Sequence, residues 1–197
     1  NTQPMLNKTI ITAFATLAIS PLLLTQSFAG GYQLQTRSIS GLGRALSGEA
    51  AIVEDASIMG SNPAGLLWLK DGWHLSTGAS YIDTNVDVKG AFDGTPTSGN
   101  PGQNSIAPLF YAAHVKGDYS YGLSVHAPFA QNTDYPSTFL GTSLGDMSDV
   151  KILNFRPTFA WRINEALSVG ASLDFVNAEG TLSSTIPGAG NLITLDG

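Results

Sequence analysis

The 197-residue sequence predicts an all-β fold, a transmembrane antiparallel β-barrel with an N-terminal plug containing short helices, and three observations carry that prediction. Segments of about ten residues alternate apolar and polar side chains, the length a tilted strand needs to cross a bilayer. The connections between them alternate long and short, as in barrels with loops outside and tight turns in the periplasm. Aromatic residues (Trp73, Tyr81, Tyr119, Tyr121, Trp161) sit near the segment ends, where a membrane interface favours them. Alternation alone also fits a secreted β-sandwich, whose apolar faces look into a core. The loop asymmetry and the aromatic placement favour the barrel.

From Met5 the chain carries Lys8, a mostly apolar run over residues 10–24, and Ser27-Phe28-Ala29 as a small-x-small cleavage site. Residues 1–29 therefore read as a secretory signal peptide, with residues 1–4 upstream of the initiator. Thr12, Thr16, Ser20 and Pro21 interrupt the run, which argues against an anchor. Residues 30–71 hold Gly, Ser and Ala without sustained alternation; short helices are expected within 45–59 and a turn at Ser61-Asn62-Pro63-Ala64-Gly65. This segment has no pattern for a core of its own and needs a surface to pack against.

From residue 72 the period becomes two. Trp73, Leu75, Thr77, Ala79 and Tyr81 form the first apolar row, and Ala107, Leu109, Tyr111, Ala113 and Val115 the second. Lys116-Gly117-Asp118 turns the chain into the third, Tyr119, Tyr121, Leu123 and Val125. Leu153, Phe155, Pro157, Phe159, Trp161 and Ile163 make the fourth, against Asn154, Arg156, Thr158, Ala160 and Arg162. Leu167, Val169, Ala171, Leu173 and Phe175 make the fifth, against Ser168, Gly170, Ser172 and Asp174. The long connections span residues 89–104 and 127–149, and the short ones residues 116–118 and 164–166. Residues 72–197 are thus expected to be the first part of a barrel. Five strands would leave two unpaired edges, which lipid does not tolerate, so the chain reads as an N-terminal fragment.

Composition excludes several functions. A net charge of −6 with scattered Lys and Arg disfavours nucleic acid as a partner. The absence of cysteine removes disulfides, thiolate zinc sites and cysteine nucleophiles. His74, His114 and His126 lack metal-ligand spacing, and no nucleophile elbow appears, so neither a metal, a cofactor nor an enzyme is expected. Gly41, Gly43 and Gly48 miss the G-x-G-x-x-G spacing and follow no strand, so they read as tight backbone packing in the plug. The barrel reading turns the polar faces to a lumen, where Arg44 and Glu49 would pair with wall residues such as Arg156, Arg162 or Asp174.

Gly31-Tyr32-Gln33-Leu34, the stretch Ser40-Gly41-Leu42-Gly43-Arg44-Ala45 with Ser47-Gly48-Glu49, and Asn62-Pro63-Ala64 resemble the plug of the FadL family of outer-membrane long-chain fatty acid transporters. Tyr81-Ile82-Asp83, Asn104-Ser105-Ile106-Ala107-Pro108 and Tyr121-Gly122 continue the likeness in the same order, over residues 30 to about 178. The resemblance implies a fourteen-stranded barrel, about five strands of it here, closed by an N-terminal hatch, in the bacterial outer membrane. Hydrophobic substrate would be captured outside, pass the plugged lumen without an energy source, and leave sideways through a gap in the wall. Long-chain fatty acids or other hydrophobic small molecules and outer-membrane lipid are the partners so implied, with a monomeric barrel. Aromatic hydrocarbon uptake by the same fold, or a structural or adhesive outer-membrane β protein, is the alternative.

Within that likeness Gly41, Gly43, Arg44, Gly48, Glu49, Asn62, Pro63 and Ala64 are hatch or gating candidates. Tyr32 stands where the family has an aromatic residue reaching the ligand pocket. Arg156, Phe129 and Phe139 are further ligand candidates, the phenylalanines because loop 127–149 is unusually apolar. The family binds the fatty carboxylate with basic residues, one just after the fifth strand, where this chain has Glu179 and no Lys or Arg. Pro128 removes a ladder donor near the end of the third strand, where the family has a wall-opening kink, and marks the lateral exit expected at Ala127-Pro128-Phe129-Ala130.

Overall fold

The computed structural model describes Leu34, residues 37–186 and residues 190–197. The signal-peptide assignment and Tyr32 lie outside the described residues.

Ser38 opens the first helix of the hatch: its side chain accepts from the Gly41 amide (2.8 Å) and caps α1 (Ile39–Gly43). This helix falls on the glycine stretch itself, ahead of residues 45–59, where the next short helix begins. It ends because Ala45 and Leu46 take left-handed φ values of 52° and 63°. Two 3₁₀ helices follow, Ala56–Gly60, capped by Asp55 through the Ser57 amide, and Pro63–Trp68, opened by proline at its first turn. Their apolar side chains Ala56, Ile58, Met59 and Leu66 pack on Leu109, Tyr111 and Ala113. That shared cluster supplies the surface the hatch sequence lacks.

The strands are β1 (Gly72–Ile82), β2 (Val88–Phe92), β3 (Thr95–Gly99), β4 (Ser105–Lys116), β5 (Tyr119–Asp134), β6 (Met147–Asn164), β7 (Leu167–Ser172), β8 (Phe175–Ile186) and β9 (Gly190–Asp196). The wall is antiparallel in the order β1-β4-β5-β6-β8-β9, with β7 also paired to β6. β7 and β8 keep one register along β6, Thr158 opposite Ser172 and Phe155 opposite Phe175. They are one long strand interrupted opposite Pro157, which accepts from the Leu173 amide (3.1 Å) and has no N–H to return.

Exposure alternates residue by residue along β1, from half-buried Gly72 to exposed Trp73 and onward. The apolar rows of β1, β5, β6 and β7 are the exposed, outward ones. The β6 row from Leu153 to Ile163 rises roughly 25 Å once a ~40° tilt is allowed for, the height of a barrel's apolar band. Outward aromatics meet near its lower end: Tyr119 stacks on Trp161 (6.4 Å), and Trp73 and Tyr121 flank His114 (4.8 and 5.4 Å).

β4 is reversed. Ala107, Leu109, Tyr111, Ala113 and Val115 are buried beneath the hatch, and Ile106 and Phe110 are exposed on the other face. Both faces of β4 are apolar, so the strand serves lipid on one side and the hatch core on the other.

The long connections are more ordered than their composition suggests. Residues 89–104 contain the β2–β3 hairpin, closed by Asp93 (φ 49°) and Gly94 (φ 76°), the signs of a type I′ turn. β5 and β6 extend into the second connection, leaving residues 135–146 with a 3₁₀ helix, Leu140–Leu144. A further strand, β9, pairs with β8 beyond the five apolar rows read from the sequence.

Candidate functional site

Three features stand out: a seam joining the hatch to the wall, a window in the wall, and an outer pocket.

The seam is built by wall arginines and hatch carbonyls. Arg156 holds Asp174 with two donors (Nε to Oδ1 2.5 Å, Nη2 to Oδ2 2.9 Å), while Nη1 donates to the Gly60 carbonyl at 2.9 Å. Asn154 donates to the same Asp174 Oδ1 (2.5 Å). Arg162 donates to the Leu67 carbonyl. Gly60 ends one 3₁₀ helix and Leu67 lies in the last turn of the other, so each arginine meets the negative end of a short helix. The Asn62-Pro63-Ala64 turn lies on β7: a Cβ at Gly170 would stand 2.5 Å from the Ala64 nitrogen and 2.8 Å from the Pro63 carbonyl carbon.

Arg44 and Glu49 do not reach the wall. Arg44 pairs with Glu54 inside the hatch, and Glu49 Oε1 is buried beside Gly41 without a hydrogen-bond partner among the described residues. Arg44 stays local because the carboxylate of Glu54 in the same segment already engages its guanidinium. Asn62 likewise binds inside the hatch, donating to the Ala50 carbonyl (2.9 Å). Gly48 takes a φ of 66° and Gly43 has open space where a Cβ would stand.

The window lies between β4 and β5. Their ladder ends at Leu109 opposite His126. Beyond it residues 104–108 pair with no residue of β5 among the described residues, until Gly102 bridges Thr133 and the Gln103 amide donates to the Asn132 carbonyl (3.3 Å). The cause is local. Pro108 and Pro128 each lack a donor, and the β5–β6 register shifts by one between His126 and Phe129. Such a bulge bends its strand and re-aims the side chains beyond it: His126 opposes Asn154 and Phe129 opposes Ile152, so Phe129 falls on the lumenal side with His126. The Pro128 carbonyl accepts instead from Leu34 (2.8 Å), so the chain leading into the hatch docks at the window. A cavity of about 270 Å³ opens here, lined by Ile106, Pro108, Ala127, Phe129 and Leu153 with Lys151 and Glu179.

Outside, residues 135–146 fold over β8 and β9. Leu144, Met147, Leu182, Ile193 and Leu195 line a pocket of about 370 Å³. Asp146 fastens this loop by accepting from the hydroxyls of Ser183 and Thr185. Burial alone would raise its pKa, but those two hydroxyls, with the backbone amides, hold it below the usual aspartate value. Phe139 stacks on Tyr135 at 4.6 Å in the same loop, and the Leu140 amide donates to Thr97 of the β2–β3 hairpin (3.1 Å).

Phe129, Phe139 and Arg156 thus fall at three places: window, outer loop and seam. Gly170, Pro108 and Asp146 were not singled out by sequence reasoning. Pro108 had the same signal as Pro128, a proline in an alternating run; the other two carry none that one sequence could reveal.

The family model described as outer membrane protein transport protein (OMPP1/FadL/TodX) matches residues 21–195. The long-chain fatty acid transport protein of Escherichia coli (strain K12) is 32% identical over 195 residues, covering 96% of this chain and 43% of that protein. That of Salmonella typhi is also 32% identical, covering 96% and 44%. Outer membrane protein P1 of Haemophilus influenzae is 30% identical over 169 residues, covering 77% and 37%. The chain thus spans less than half the length of these relatives. Among solved structures, a Pseudomonas aeruginosa FadL homologue matches in fold with a TM-score of 0.67 at 17% identity, over 79% of this chain and 39% of the other.

Proposed function

Because the chain belongs to the outer membrane protein transport protein family (OMPP1/FadL/TodX) of the bacterial outer membrane, we propose that it forms the plugged side of a passive transporter for long-chain fatty acids or similar hydrophobic molecules. The observation that carries this reading is the window: a stretch between β4 and β5 without ladder pairs among the described residues, beside the place where the hatch packs on β4. An aqueous pore offers an acyl chain nothing, whereas an apolar path recovers roughly 0.8 kcal/mol per buried methylene. Differential binding then suffices without an energy source. Substrate enters at the outer pocket under residues 135–146, passes the hatch and leaves past Pro128 and Phe129 into the membrane.

Arg156 and Arg162 act in this scheme as latches on the hatch helices, with Asn62-Pro63-Ala64 as the docked edge at Gly170. Aromatic hydrocarbons are a second substrate class, favoured by Arg156 being engaged with Asp174 instead of offering its fork to a carboxylate. The test is uptake of oleate and of toluene by vesicles carrying the complete reading frame. Saturable uptake of either supports transport, and none of both removes it.

A further inference from the structure

The window carries an unbalanced charge on its outer lip. Lys151 of β6 and Glu179 of β8 are direct cross-strand partners and both line the window cavity. Lys151 Nζ is held 2.7 Å from Asp149 Oδ2. One ammonium therefore faces two carboxylates, an excess of one negative charge within this trio, beside a path lined also by Ile106, Pro108, Phe129, Leu153 and the uncharged Asn177. The ammonium is no receptor for an arriving anion, because Asp149 and Glu179 already flank it. Asp149 is largely buried, with 25% of its side chain exposed, so water screens its charge less than it would a free surface carboxylate.

We propose that the window is charge-selective: it passes hydrophobic molecules in uncharged form, as hydrocarbons, alcohols or protonated acids, and repels a carboxylate anion. This rests on the window being the exit. A fatty acid meets the requirement by taking up a proton before it leaves, the ordinary response of a carboxylate facing like charge in an apolar site. Glu179 and Asp149 are then the specificity-determining residues of the exit, and they set which protonation state of the cargo crosses the wall.

The experiment compares oleic acid with oleyl alcohol, the same chain with and without an ionisable head, in vesicles carrying the complete protein at pH 8. Removing the negative charge with the Asp149→Asn/Glu179→Gln pair is expected to raise the acid-to-alcohol rate ratio about tenfold. Lys151→Gln, which adds to the imbalance, is expected to lower it. The ratio is insensitive to how much protein assembles, since both cargoes share the barrel. A ratio moved by neither variant, or moved in the same direction by both, overturns the charge filter while leaving transport standing. Absence of saturable uptake of either cargo by the unsubstituted protein overturns transport, and the filter with it.

Discussion

Gly170 offers the sharpest perturbation of the hatch. Added as alanine, its Cβ would meet the Ala64 nitrogen at 2.5 Å and both the carbonyl carbon and Cβ of Pro63 at 2.8 Å. All three belong to a rigid turn, and two are backbone atoms, so no side-chain rotation relieves the clash. Overpacking of this kind costs about 1–3 kcal/mol. If β7 stays in register with β6, the hatch edge must yield. The docked-to-released ratio of the Asn62-Pro63-Ala64 turn then falls by roughly 5- to 150-fold at about 1.4 kcal/mol per decade. Hydrogen exchange of the complete protein over residues 58–69 reads this directly, because exchange through opening tracks the open population. Gly180→Ala is the control: its Cβ meets only Val150 Cγ2, at 4.0 Å. Equal hatch protection in Gly170→Ala, Gly180→Ala and the unsubstituted protein would refute the docking of the turn at β7.

Asp174→Asn weakens the two-donor hold on Arg156 and should raise exchange at the Gly60 end of its helix several-fold; Arg156→Lys should not restore protection, since an ammonium lacks the planar fork. Arg162→Met leaves the Leu67 carbonyl without its charged donor, a loss of about 1–3 kcal/mol if the carbonyl stays buried, seen as faster exchange over residues 63–68. Pro128→Val restores a ladder donor at the bulge and should slow uptake at unchanged barrel assembly, measured by heat-modifiable mobility; an unchanged rate counts against the exit. Asp146 has a folded pKa below the ordinary aspartate value of 3.8, so its hold on residues 135–146 is fully present above that value and is lost as pH falls through the lower, folded one. Exchange of that loop should rise under those acid conditions, and Asp146→Asn should remove the dependence.

Where the inner and outer rows differ in chemistry, the sequence was easy to read. β6 sets Phe155, Phe159 and Trp161 against Asn154, Arg156 and Thr158, and the structure places the two sets on opposite faces. β4 resisted because both of its faces carry large, mainly apolar side chains such as Tyr111 and Phe110, and packing against the hatch decides which of them is inside. Asp93-Gly94 was a hairpin signal within an apparent loop, hidden by the weak β patterning around it. The arginines of the wall were legible as lumenal, but their partners on the hatch were not. They bind main-chain carbonyls of the hatch, groups every residue possesses, so no side-chain pattern announces them.

The window has a mechanical consequence. A hydrogen-bonded ladder fails most easily from a free end, where each broken bond exposes the next; a slit reaching the rim of the wall would be such an end. This one has none. Leu109 opposite His126 closes it below, and Gly102 opposite Thr133 with Gln103 on Asn132 closes it above, as stitching closes both ends of a buttonhole. Tension at the gap is passed to paired strands on both sides, so the gap can widen without starting a tear.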